Sequence, residues 1–96
     1  MNLFLVVLYV TETNKSNVEN AIKRAHGWWH YFDSVWVIST ARTLAQWQNR
    51  LRELVSDDER FLIVDIKNQE RDGWLPSKAW TWLSDQERGE IAQNKQ

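Results

Sequence analysis

Trp28-Trp29-His30-Tyr31-Phe32-Asp33-Ser34-Val35-Trp36-Val37-Ile38-Ser39-Thr40 is the stretch on which the fold turns. It gathers three of the chain's seven tryptophans into a run of aromatic and β-branched residues, interrupted only by Asp33-Ser34. Strand formers on both sides of a polar pair predict two strands meeting at a tight turn. Asp33 and Ser34 suit such a turn without any catalytic duty.

Outward from this hairpin, the segments on either side read as helices. Ser16-Asn17-Val18-Glu19 matches the capping-box pattern, and Val18, Ala21, Ile22 and Ala25 form an apolar stripe at helical spacing. Gly27 stands where a helix C-terminal cap belongs. On the far side, Thr43-Leu44-Ala45-Gln46 is a second capping box, followed by Leu44, Trp47, Leu51 and Leu54 on one helical face. Ser56-Asp57-Asp58 then marks a turn.

The outermost strands complete the order. Leu3 to Val10 is a continuous apolar run, the pattern of a central strand covered on both faces. Phe61 to Ile66 alternates, with Leu62, Val64 and Ile66 on one face and Phe61, Ile63 and Asp65 on the other. After a polar loop, Pro76 suits the first turn of a short helix whose Ala79, Trp80 and Leu83 can dock on the domain. Trp74, Trp80 and Trp82 are expected to anchor it. The fold class is therefore α+β, a βαββαβ ferredoxin-like sandwich with an appended C-terminal Trp-rich helix. One domain spans 1–83, and 84–96 is a polar tail, read as a frayed helical extension or a disordered segment.

Composition narrows the function classes. The 12 Lys+Arg and 13 Asp+Glu nearly cancel, so no global field draws the chain to nucleic acid. There are no cysteines, which suits a reducing, cytoplasmic setting and excludes thiolate chemistry. The apolar run at the start lacks a basic signal-peptide region and falls far short of the ~20 residues of a membrane span. No membrane association is expected.

Two helices cover only one face of a four-stranded sheet, so the other apolar face calls for a partner, most simply a second copy. Phe61, Ile63, Asp65 and Trp36 are assigned to that homodimer interface, with a cation such as Arg60 or Arg42 pairing Asp65. Tryptophans interleaved with Arg42, Arg50, Arg52 and Arg71 suggest a possible nucleic-acid contact. A packing role for Trp28, Trp36 and Trp47 fits the balanced charge better. His26 and His30 lack partners at metal-ligand spacing. His26 is read as complementing a helix C-terminus, and His30 as making a structural hydrogen bond.

The Trp-rich hairpin, together with Gly73-Trp74-Leu75-Pro76, resembles the SinR-like relatives of the small CRISPR-associated adaptation nuclease family. The likeness covers roughly residues 1–83, and the hairpin is its specific part. The resemblance implies a ferredoxin-like homodimer. In the nuclease branch it also implies an Asp after a Tyr at the end of the first strand, holding a divalent metal at the dimer interface. Here Tyr9 is followed by Val10, and the nearest carboxylate is Glu12 in the loop. Hard cations need oxygen ligands. The expectation is a non-catalytic homodimeric binding or scaffold protein with a protein partner, without catalytic residues, metal or cofactor. The alternatives are a metal-dependent endonuclease with a relocated carboxylate, and a nucleic-acid-binding dimer without catalysis.

Overall fold

The structure is a computed structural model that describes residues 1–88. Its elements run β1 (Asn2–Tyr9), α1 (Glu12–Ile22), β2 (Gly27–Phe32), β3 (Val35–Thr40), α2 (Leu44–Leu54), β4 (Arg60–Asp65) and α3 (Ser77–Glu87). The four strands form one antiparallel sheet in the order β2-β3-β1-β4. This small α+β arrangement is compatible with a ferredoxin-like fold. The hairpin forms where its residues indicate, with Asp33-Ser34 at the turn and an irregularity between His30 and Phe32.

Alternation along the strands sorts the apolar side chains onto two faces. One face carries Phe4, Val6, Leu8, Trp28, Trp36 and Ile38, packed against Val18 and Ile22 of α1 and Trp47 and Leu51 of α2. The opposite face carries Leu3, Trp29 and Val37, packed against Ala79, Trp82 and Leu83 of α3. Buried positions 79, 82, 83 and 86 follow the spacing of a helix that buries one stripe. The helix thus runs past residue 83 to Glu87, which matches the helical-extension alternative for 84–87. The expectation for 89–96 lies outside the described residues.

Local signals at the helix ends fared unequally. The Thr43–Gln46 capping box forms with both of its hydrogen bonds, at 3.1 Å and 2.8 Å. The Ser16–Glu19 pattern does not start a helix, because α1 already begins at Glu12 with Thr11 as its N-cap. Gly27 is the first residue of β2, and Lys23 is the C-cap of α1. Asn68 adopts a left-handed conformation (φ 58°), which asparagine tolerates better than most residues, and its N–H donates to Glu87 Oε1 at 2.9 Å. That bond ties the loop after β4 to the end of α3.

The sheet face on which the sequence placed these interface residues needs correction. Phe61 and Ile63 do not lie on a face left open by the helices; they pack on the core beneath α1 and α2. Trp36 is 1% exposed in that core, its ring 5.3 Å from Trp28 and stacked on His30 at 3.6 Å. The reason is register: Leu8 pairs with Phe61 and Val6 with Ile63, which places both β4 residues on the helix-covered side. Asp65 is exposed at the strand end and caps a turn by accepting the Lys67 N–H at 3.0 Å. Arg60 instead donates to the carbonyls of Asp57 and Glu59, and the backbone N–H and C=O of Arg42 bond to Thr40 and Asn2.

Candidate protein-interaction face

The sheet face bearing α3 is only half covered. Register aligns Trp29, Val37, Leu5 and Val64 in one row across it, and Phe32, Val35, Val7 and Leu62 in the next. The first row passes beneath α3, which packs on Trp29 and Val37 and leaves Val64 at the edge. The second row is covered only in part: Phe32 and Val35 border a cavity shared with the loop at 69–72, and the rest is open. Leu62 is 59% exposed and Phe32 50%, with Val7 and Val35 only partly buried. Tyr9 and Tyr31 extend this exposed surface. Exposed apolar residues in register along a sheet form a continuous patch of the kind that marks interaction sites.

Among the described residues β4 pairs only with β1, so the patch reaches the edge of the sheet. An edge strand presents unpaired backbone groups to any incoming strand. Beside that edge, on the helix side, a groove is lined by Leu44, Phe61, Ile63 and Arg52 among others. Leu44 is exposed there rather than completing the buried stripe of α2.

The end of β1 is where the family resemblance would put a metal. Val10 lines a small hollow with Glu12, Glu19, Asp33 and Lys15. Lys15 lies 3.4 Å from Asp33, whose carboxylate raises the lysine pKa. An ammonium thus already occupies the centre of the acidic groups. Among the described residues, no group of three or more His, Asp or Glu side chains is placed to hold a metal ion. Val10 offers no side-chain oxygen at the position where the resemblance places the metal-binding carboxylate. His30 uses Nε2 in a 3.0 Å contact with the Asp33 carbonyl and stacks on Trp36, the structural role expected of it.

The arginines divide. Arg42 and Arg50 line one pocket of about 300 Å³ together with Arg24 and His26, and no carboxylate lines it. Arg52 lies apart, ion-paired with Asp57 at 2.5 Å and donating to the Val55 carbonyl. Arg71 is also apart, paired with Glu87. The arginine trio joins the end of α1 to the β3–α2 junction, segments far apart in sequence. Only the fold could reveal that Arg24 and His26 belong with Arg42 and Arg50.

Glu59 went unremarked in the sequence, yet it is the most enclosed carboxylate among the described residues, 5% exposed. Its Oε2 accepts the Thr11 N–H (2.5 Å) and hydroxyl (2.8 Å), and its Oε1 accepts the Ser56 N–H and the Asn14 amide, both at 2.7 Å. These donors, the Ser56 N–H foremost and then those of Thr11 and Asn14, hold its pKa down to about 2. Every donor is itself structural, so Glu59 is read as a clasp between α1 and the α2–β4 turn. A signal was present: Ser56-Asp57-Asp58-Glu59 is another S-x-x-E pattern, here closing a turn instead of a helix.

None of the helices among the described residues is long and apolar enough to cross a membrane. No family model matches the chain, and neither does any curated protein or solved structure.

Proposed function

We propose that this chain is a non-catalytic, homodimeric binding protein of ferredoxin-like fold, related to the SinR-like branch of the small CRISPR-associated adaptation nucleases. In this reading it works through macromolecular contact in the cytoplasm. The observation that carries the dimer is the partly open row Phe32–Val35–Val7–Leu62 on the α3 side of the sheet. An apolar surface of this kind is stabilised by a self-complementary partner across a two-fold axis. The test is sedimentation equilibrium. The native protein is expected at twice its 11.5 kDa monomer mass. Leu62→Glu is expected to sediment as a folded monomer, because the side chain is exposed and carries little of the monomer's stability. A native protein that remains monomeric at high concentration removes the reading.

The loss of catalysis rests on Val10 and on Lys15 among the nearby acids. A second reading, nucleic-acid binding without cleavage, is favoured by the pocket of Arg24, Arg42 and Arg50. Three arginines lining one pocket suit phosphate oxygens, with Arg50 also 4.0 Å from Glu53. One assay separates the possibilities: single-stranded RNA and DNA incubated with the protein, in Mn²⁺ or in EDTA. Under the first reading the strands stay intact and unbound. A gel shift lost in Arg42→Ala and Arg50→Ala, yet kept in Arg52→Ala, supports the second. Metal-dependent cleavage that disappears in Glu12→Ala overturns both.

A further inference from the structure

We infer that Trp74 of a second copy of this chain seats its indole in the cavity between α3 and the sheet. The inference rests on the homodimer reading and names the residue that would anchor it. Trp74 is 98% exposed, an unusual position for the largest apolar side chain. Sequence reasoning made it an anchor of the C-terminal helix; Trp82 fills that role and Trp74 does not. Directly beside it opens a cavity of about 290 Å³, walled by Leu5, Trp29, Val37, Ile66, Leu75 and Trp80. The molecule thus exposes a complete indole next to an apolar, aromatic-walled space.

Trp74 does not reach the cavity of its own chain. Leu75, the next residue, already lines it, and the following Pro76 restricts Leu75 to extended conformations. Gly73 lies close over the wall, where a Cβ would meet the Trp80 ring at 3.9 Å. With the chain held on both sides, turning Trp74 inward means expelling Leu75. A two-fold axis beside Trp74 has no such cost: each indole enters the other copy's cavity in one reciprocal contact.

The cavity's chemistry suits an indole. Arg71 gives one guanidinium nitrogen to Glu87, while its buried Nη1 has no protein acceptor. Glu70 and Asp72 at the rim offer carboxylate oxygens to the indole N–H. Phe32 and Val35 line the cavity and also begin the partly open row, so the seat is continuous with the proposed interface. One aromatic side chain buries about 150–250 Å². Trp74 therefore acts as a central anchor, and the partly open row supplies the remaining area.

The experiment uses full-length protein labelled with 5-fluorotryptophan, with the Trp74 ¹⁹F resonance assigned from Trp74→Phe. Sedimentation equilibrium on unlabelled protein gives the dimer Kd. The Trp74 resonance is expected to show a solvent-isotope shift when dilute and to lose it as concentration passes through that Kd. Trp74→Ala is expected to fold normally and to raise the Kd about thirtyfold or more, the range of an interface hot spot. A dimer whose Kd is unchanged by Trp74→Ala, or whose Trp74 stays solvent-accessible, overturns the inference but leaves the homodimer standing. Shielding of Trp74 already in the dilute monomer also overturns it, because its own chain then covers the indole. A native protein that never dimerises overturns both.

Discussion

Trp36→Ala is expected to cost about 3–5 kcal/mol, the range for deleting a buried tryptophan. Typical domains of this length hold about 5–15 kcal/mol of net stability, so the variant should be largely unfolded or close to it at physiological temperature. Trp36 sits on β3, paired on both sides, and is 1% exposed. Its ring lies against Trp28 and His30, with Lys23 Nζ 5.9 Å from the ring centroid. No neighbour can collapse into such a void without moving the sheet. Urea denaturation checks the size of the loss, and Trp36→Phe should recover much of it by keeping a ring in place. The same experiment tests the corrected position of this residue. A subunit-contact tryptophan would leave the monomer's denaturation midpoint in place and change only the sedimented mass. A loss below about 1 kcal/mol, far under the cost of a core cavity, sinks the placement in the core.

The sheet face on which Trp36, Phe61 and Ile63 actually lie shows what a sequence pattern can carry. Alternation along β4 correctly separated Phe61 and Ile63 from Leu62 and Val64, because the two-residue period is local geometry. Which of these two sets the helices cover is not local. It depends on Leu8 meeting Phe61 and Val6 meeting Ile63, across more than 50 residues of chain. The first strand gave no guidance, since Leu3 to Val10 is apolar on both sides. By contrast, the Trp28–Thr40 hairpin and the Thr43 cap were legible because every interaction that defines them lies within a few residues.

An apolar sheet face away from α1 and α2 was also legible, but how much of it the chain itself covers was not. Trp29 and Val37 are covered from within by α3, a helix whose docking depends on tertiary contact. What remains is the smaller patch around Leu62, together with an exposed Trp74 that helical-anchor reasoning placed inside. The site residues moved with it. Asp65 became a turn cap, Arg52 separated from Arg42 and Arg50, and Arg24 joined them. Asp65 and Arg52 took partners within five residues, whereas Arg24 met Arg42 and Arg50 only through the fold.

Glu59 provides the second large effect, and it is read through pH. Its pKa stands at about 2 in the fold against 4.5 ordinarily, so the folded state holds fewer protons than the unfolded state between those values. Stability from this group is therefore fully present above about pH 4.5 and is lost as pH falls toward 2. The start of α1 explains why the loss should reach the fold: Thr11, its N-cap, gives both N–H and hydroxyl to Glu59 from 48 residues away. Glu59→Gln is the decisive variant. Both carboxylate oxygens accept two hydrogen bonds, and all four donors belong to Thr11, Asn14 and Ser56. An amide keeps one oxygen and turns an N–H₂ toward the other pair of donors, so one pair always loses its acceptor. The variant should be clearly less stable than the native protein at pH 7. A protonated carboxyl resembles an amide, with one face donating, so the two stability curves should converge as pH approaches 2. Urea midpoints for both proteins across pH 2 to 7 measure this. Parallel curves, with the same gap at every pH, would show that the clasp does not hold its proton away.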